Sequence, residues 1–378
     1  MESSQISIFE EDYGENPKYL TDQIITYIGN KRSLLPFISE AVRYVKNELS
    51  KDKISCLDMF AGSGIVSRML KSHSSVLMSN DLETYSRVSS ECYLTNKGDL
   101  VFSDLKSILN DLKTNIKNEP VEGFITEMYS PRDESNITEE DRVFYSRRNA
   151  TYIDTARTHI SSLPPNIQKY FLAPLLSLSS IHANTSGVFK GFYKSKNGIG
   201  QFGGSGRDAL KRILAPIELC LPVLSNYTCE YHVFQRDSNQ LSKDLSDTHL
   251  DLVYLDPPYN QHPYGSNYFM LNLICDYIKP SDISRVSGIP KTWNRSPYNK
   301  KKLASFALFD LIDQLKCSYV LISYNSEGFV SQEEFLDVLS KMGNLTRMET
   351  KYNTFRGCRN LVNRSAHVTE YLYLLQKT

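Results

Sequence analysis

The sequence predicts an α/β protein: a doubly wound, mostly parallel sheet with antiparallel edge strands, interrupted by an inserted, mainly helical segment. Three observations lead there. A short apolar run, Lys53 to Met59, breaks into Ala61-Gly62-Ser63-Gly64 and is followed by a second run ending at Asn80-Asp81, the strand, glycine loop, helix, strand opening of a doubly wound sheet. A further apolar run, Leu250 to Leu255, is stopped by Asp256-Pro257-Pro258-Tyr259. Near the C-terminus, Arg347 to Thr354 and Val368 to Leu375 alternate as the strands of a closing hairpin do.

The elements follow in order. After a polar tail, residues 1–20, the apolar positions from Leu34 to Leu49 recur at helical spacing, with Pro36 tolerable in a first turn. The Lys53 strand, the glycine loop and the Ser75 to Ser79 strand come next, then helical patterns over Tyr85 to Asn96 and Leu105 to Lys117. From 118 to 226 the alternation is lost among Pro120, Pro131, Pro164-Pro165 and the loop-like Gly198 to Gly206, so this stretch reads as an insertion between 21–117 and 227–378. Strands resume at Tyr231 to Phe234, Leu250 to Leu255 and Tyr319 to Ser323, and Ser331-Gln-Glu-Glu334 has the form of a capping box that opens a helix.

Composition narrows the function classes. Apolar residues are 40% and charged residues 23% of the 378, as in an ordinary globular protein. The seven cysteines are scattered, with no C-x-x-C spacing, which argues against a zinc site or a disulfide framework; no metal is expected. There is no secretory signal and no apolar run of the ~20 residues that a membrane helix needs, so a cytoplasmic location is expected. The formal net charge is zero, yet the charge is segregated. Between Arg142 and Arg212 the basic residues Arg147, Arg148, Arg157, Lys169, Lys190, Lys194, Lys196, Arg207 and Lys211 face only Asp154 and Asp208, either a solvated face or the electrostatic footprint of a nucleic acid.

The chemistry concentrates at Asp256-Pro257-Pro258-Tyr259. Adenine N6 is a poor nucleophile because its lone pair is delocalised into the ring. A carboxylate and a carbonyl that each accept one amino hydrogen favour the pyramidal, nucleophilic form and stabilise developing positive charge. Consecutive prolines hold their carbonyls in place with no competing N–H, and an aromatic ring stacks a base for roughly 1–3 kcal/mol. The alternative is a strand stop and nothing more. In Asp58-Met-Phe60-Ala-Gly62-Ser63-Gly64 the small residues let a ligand approach the backbone, while Ser67 at the third glycine position departs from the dinucleotide fingerprint. Asp81, at the end of the next strand, suits a pair of ribose hydroxyls.

These residues together resemble the D12 class of adenine-specific DNA methyltransferases, the group of Dam and FokI-type modification enzymes, and most of all its FokI-like branch. Tyr27-Ile-Gly-Asn-Lys31 resembles the N-terminal cofactor motif, with Tyr27 where Dam-like enzymes often carry tryptophan. Asp58 to Gly64 resembles the methionine-binding loop, Asp81 the ribose-binding acid, and Gln235-Arg-Asp237-Ser-Asn239 a segment near the target amino group or the cofactor adenine. Asp256 to Tyr259 matches the catalytic tetrad. Leu321-Ile-Ser-Tyr-Asn325 and Tyr352-Asn-Thr-Phe355-Arg356-Gly357 are similar to closing motifs of the FokI-like branch.

The resemblance implies a Rossmann-like methyltransferase fold and S-adenosyl-L-methionine bound by Tyr27, Lys31, Asp58, Phe60, Gly62, Ser63, Gly64, Asp81, Asp237 and Asp256. It implies transfer to N6 of a flipped adenine in double-stranded DNA by Asp256, Pro257, Pro258 and Tyr259. The insertion becomes a target-recognition domain, with Arg147, Arg148, Lys190, Lys194, Lys196 and Arg207 as candidate DNA contacts. A cognate restriction endonuclease sharing the site is an expected functional partner. Two other readings stay open at this point: the same fold acting on cytosine N4, RNA or a protein amide, and a DNA-binding protein that has lost catalysis.

Overall fold

The computed structural model describes residues 14–204, 206, 208–353 and 367–378. Arg207 and Phe355-Arg356-Gly357 lie outside the described residues.

Among the described residues seven strands form one sheet: β1 Ile54–Asp58, β2 Ser74–Asp81, β3 Glu230–Gln235, β4 Leu250–Leu255, β5 Cys317–Asn325, β6 Gly343–Asn353 and β7 His367–Lys377. Their order is β3-β2-β1-β4-β5-β7-β6. The first five are parallel, and β7 runs antiparallel between β5 and β6. The closing hairpin read from the sequence is present, but only β6 is an edge; β7 is inside the sheet.

Alternate side chains along each strand enter opposite layers, as the period of two requires. Cys56, Leu252, Tyr254, Leu321, Leu372 and Leu374 pack into one apolar cluster, and Leu57, Val253, Leu255, Val320, Ile322, Tyr373 and Leu375 into a second on the other face. Helices Lys301–Gln314 and Gln332–Leu339 cover the second face. The latter is capped as its sequence predicts, with Ser331 Oγ accepting from Glu334 N at 3.1 Å. Helices Leu35–Glu48, Thr84–Tyr93 and Phe269–Asp276 cover the first.

The 118–226 stretch supplies helices Phe124–Tyr129, Arg147–Ser161, Pro165–Ile181 and Leu210–Leu214. Phe144, Ile153, Phe171 and Leu175 from this stretch are fully buried in the same cluster as the first-face helices. The stretch has a polar anchor too. The buried Asp154 carboxylate accepts from Gly123 N, Ile125 N and Thr126 N at 2.7–3.2 Å and from Tyr277 Oη at 2.8 Å, tying the stretch to the end of helix Phe269–Asp276.

Candidate active site

The site forms where the parallel strands end, because each strand delivers its last residues to the same rim. β1 ends in Asp58 and runs into the glycine loop. Gly62 and Gly64 have φ of +54° and +75°, left-handed values that favour glycine. At Gly62 a Cβ would lie 2.9 Å from the Tyr27 ring, so glycine is also required for space. Gly62 N donates to Asp81 Oδ2 at 2.7 Å, and Glu83 N donates to Asp81 Oδ1 at 2.9 Å; the β2 acid thereby holds the β1 loop. Asn80 does the same on three sides, donating through Nδ2 to the Met59 and Arg236 carbonyls at 3.1 Å and accepting from Arg236 N at 3.1 Å.

The segment from Tyr27 to Lys31 closes over this rim. Ile28 N donates to Tyr268 Oη at 2.7 Å, and the Tyr27 ring stacks on Tyr264 and Tyr268 with centroids 5.0 and 4.7 Å away. Tyr27 Oη lies 3.2 Å from Tyr85 Oη. The result is an aromatic wall along one side of a cavity whose empty space, its open mouth included, is about 860 Å3. Tyr27, Lys31, Asp58, Phe60, Gly62, Ser63, Asp81, Asp237, Asp256 and Pro258 all line it.

Not every predicted residue does. Gly64 shapes the loop as the residue preceding helix Ile65–Leu70. Pro257 is buried. Tyr259 stands behind Gly29, where a Cβ would lie 3.3 Å from its hydroxyl, with its ring edge-on to Tyr324 at 5.7 Å. Asp237 does line the cavity, but it is exposed and caps helix Ser238–Asp244, accepting from Gln240 N at 3.1 Å.

The carboxylates of the cavity are electrostatically distinct. Asp58 is 1% exposed; its Oδ2 accepts from Ser67 Oγ at 2.6 Å, while Oδ1 is buried with no hydrogen-bond donor among the described residues. Burial pushes its carboxyl up to about 7, opposed by the Ser67 hydrogen bond. Burial also raises Asp81, opposed by its backbone N–H donors. Asp256 is pushed up to about 6 by burial, with Lys31 opposing and Glu370 adding to the rise. Lys31 Nζ lies 3.1 Å from Asp256 Oδ1 and 2.8 Å from Glu370 Oε1.

Several contributors carried no readable signal in the sequence. Glu370 comes from β7, more than a hundred residues beyond Asp256, inside an apolar strand. Glu83 is 3% exposed and is pushed up to about 7 by burial; it accepts from Asn272 Nδ2 and Asn294 Nδ2 at 2.5 and 3.1 Å. Asn80, Tyr264 and Asn294 also line the cavity. Only the Asn80-Asp81 pair at a strand end was marked by local pattern.

On the 118–226 stretch, Lys190, Lys194 and Lys196 are exposed, with Lys194 Nζ 5.0 Å from the centre of the Phe192 ring. Arg147 pairs with Glu122 at 2.5 Å, and Arg148 donates to the Leu214 carbonyl. Among the described residues no helix is long and apolar enough to cross a membrane, and no cluster of His, Cys, Asp or Glu suits a metal ion.

Comparison with known proteins agrees with this geometry. The family described as D12 class N6 adenine-specific DNA methyltransferase matches residues 27–338. The type II methyltransferase M.NlaIII of Neisseria lactamica is 30% identical over 364 residues, covering 94% of this chain and 100% of that protein. M.CviAII of Paramecium bursaria Chlorella virus 1 is 29% identical, covering 93% and 98%. M.FokI of Planomicrobium okeanokoites is 27% identical over 93% of this chain but only 52% of its own length. The sheet, the cavity at its strand ends and a family match that spans the Tyr27 segment, the glycine loop and the tetrad lead to one conclusion: the chain belongs to the D12 class of N6-adenine-specific DNA methyltransferases.

Proposed function

We propose that the chain transfers the methyl group of S-adenosyl-L-methionine to N6 of an adenine flipped out of duplex DNA, as the modification enzyme of a restriction-modification system in the cytoplasm. The observation that carries this is one cavity holding Asp58, Asp81, the glycine loop and Asp256 together. Relatives named as type II methyltransferases support the pairing with an endonuclease that reads the same site.

When bound, the cofactor supplies an electrophilic methyl group on a sulfonium. The residues present fit such a molecule. Asp58 has a buried oxygen without a donor among the described residues, suited to an ammonium group, and Asp81 sits at the β2 end where ribose hydroxyls are held in nucleotide sites. The backbone at Gly62 and Ser63 permits close approach. Tyr27, Lys31 and Phe60 wall the space, Gly64 sets the turn, and Asp237 stands at the rim.

In this reading Asp256 and the Pro257 carbonyl accept the two amino hydrogens of the base and turn its lone pair toward the donor. Transfer would exchange the methyl group's C–S bond for an N–C bond, leaving a neutral thioether and a positively charged nitrogen that must release one proton. An ionised Asp256 stabilises that charge and can hold the proton before it passes to solvent. Pro258 keeps the turn rigid and Tyr259 offers its ring to the base. The stretch 118–226 acts as the recognition domain, with Lys190, Lys194, Lys196, Arg147, Arg148 and Arg207 as its proposed phosphate contacts.

The test is a labelled-methyl assay on unmethylated genomic DNA, digested to nucleosides. Label in 6-methyladenine, lost in Asp256→Ala while the cofactor still binds, is expected. Label in N4-methylcytosine, or in RNA alone, or normal turnover by Asp256→Ala, would overturn the reading.

A further inference from the structure

Lys31 is buried with two carboxylates, and it treats them differently. Its ammonium donates a hydrogen bond to Glu370 Oε1 at 2.8 Å. It also lies 3.1 Å from Asp256 Oδ1, an ion-pair contact, and among the described residues that buried oxygen has no hydrogen bond of good geometry. Glu370 is itself held: it is 2% exposed, and its Oε1 also accepts from Ser323 Oγ on β5 at 2.8 Å. The Asp256 side chain is 19% exposed. Since Oδ1 is enclosed, that exposure belongs to its remaining atoms, which face the cavity.

We infer that Glu370 is a positioning residue for methyl transfer: by taking the Lys31 hydrogen bond it restrains the ammonium beside Asp256 without letting it neutralise that carboxylate, which stays a strong acceptor for the amino group of the base. The inference rests on the role proposed above for Asp256. The physical reason is competition for one cation. A carboxylate that shares its counter-ion with a second, better-bonded carboxylate keeps more of its negative charge for a third partner. Were Glu370 neutral, Lys31 would turn fully to Asp256 and weaken it as an acceptor.

The pH dependence has a definite sign. Among the described residues, the titratable groups acting on Asp256 or on its lysine are Lys31, Glu370, Asp58, Tyr254, Tyr259 and Tyr264. Burial and Glu370 raise the Asp256 carboxyl and Lys31 lowers it, so removing the Glu370 charge shifts it down. The ionised form is the active one, and the acid limb of the rate profile therefore moves to lower pH.

The experiment measures kcat against pH for the full chain with S-adenosylmethionine and unmethylated genomic DNA. E370Q should lower plateau kcat roughly tenfold and move the acid limb down, whereas E370D, which keeps the charge, should leave the limb in place and recover part of kcat. A wild-type profile in E370Q overturns the inference. So does a fall in kcat with an unmoved limb and a lowered Tm, the signature of a structural role alone. Should E370Q fail to fold, S323A decides: it removes one hydrogen bond from Glu370 and no charge, and an undiminished kcat overturns the inference. Asp256→Ala separates the two levels. If it is inactive while E370Q is normal, only the role of Glu370 fails; if it turns over normally, the reading of Asp256 fails.

Discussion

Asp58 and Ser67 share a 2.6 Å hydrogen bond through one carboxylate oxygen, and the other oxygen is buried with no donor among the described residues. A group so placed costs stability when ionised, and a bound cation offsets that cost. Its carboxyl is pushed up to about 7 by burial, so the native state holds this proton more tightly than the unfolded chain does. Stability from this group is therefore lost as pH rises from about 4 toward 7. Asp58→Asn should remove the loss, with a gain on the order of 1–4 kcal/mol at pH 8 and at least tenfold weaker cofactor binding. Urea unfolding at pH 5 and pH 8 checks it; an equal difference from wild type at the two pH values would sink the assignment.

Gly62→Ala tests the loop. The new methyl group would meet the Tyr27 ring at 2.9 Å at a φ of +54°. The backbone cost is about 1–2 kcal/mol, and Tyr27 must also shift from its stack. Cofactor affinity by calorimetry should fall by an order of magnitude or more, with a smaller loss in Tm; unchanged affinity would show that the ligand does not use this backbone.

Tyr27 itself separates packing from hydrogen bonding. Tyr27→Phe keeps the stack on Tyr264 and Tyr268 and loses the 3.2 Å contact with Tyr85, so it should cost about 1 kcal/mol or less. Tyr27→Ala empties the stack and should cost about 2–4 kcal/mol. Denaturant unfolding of both variants measures the difference, and equal losses would contradict it.

The exposed lysines of the 118–226 stretch carry a salt prediction. Replacing Lys190, Lys194 and Lys196 together by alanine should weaken DNA binding and reduce the slope of log affinity against log salt by about one per lost phosphate contact. Arg147→Ala should do less, because its guanidinium is already paired with Glu122 at 2.5 Å. Filter binding across a salt series decides, and an unchanged slope in the triple variant would place the DNA elsewhere.

Much of this was legible from local pattern. The strand from Leu250 to Leu255 is recovered residue for residue, since its short length, its apolar run and the two prolines that stop it suit a parallel strand covered on both faces. The helix at Leu35–Glu48 and the cap at Ser331 follow from spacing and side-chain chemistry. The residue types of the cavity were readable too: Asp58 and Asp81 stand at strand ends because β1 and β2 are parallel and deliver their last residues to one rim.

Long-range pairing is what the sequence by itself did not determine. Alternation near the C-terminus marks two strands but not their neighbours, and it is β7, buried at Leu372 to Leu375, that enters the sheet while the more exposed β6 takes the edge. That choice carries Glu370 to Lys31, across 339 residues of chain. The same holds for Tyr264 and Tyr268 against Tyr27. Periodicity fixes which way a side chain points relative to its own backbone; which distant partner it meets is set by how the layers pack, and only the tertiary structure decided that a lysine near the N-terminus would be shared by two carboxylates.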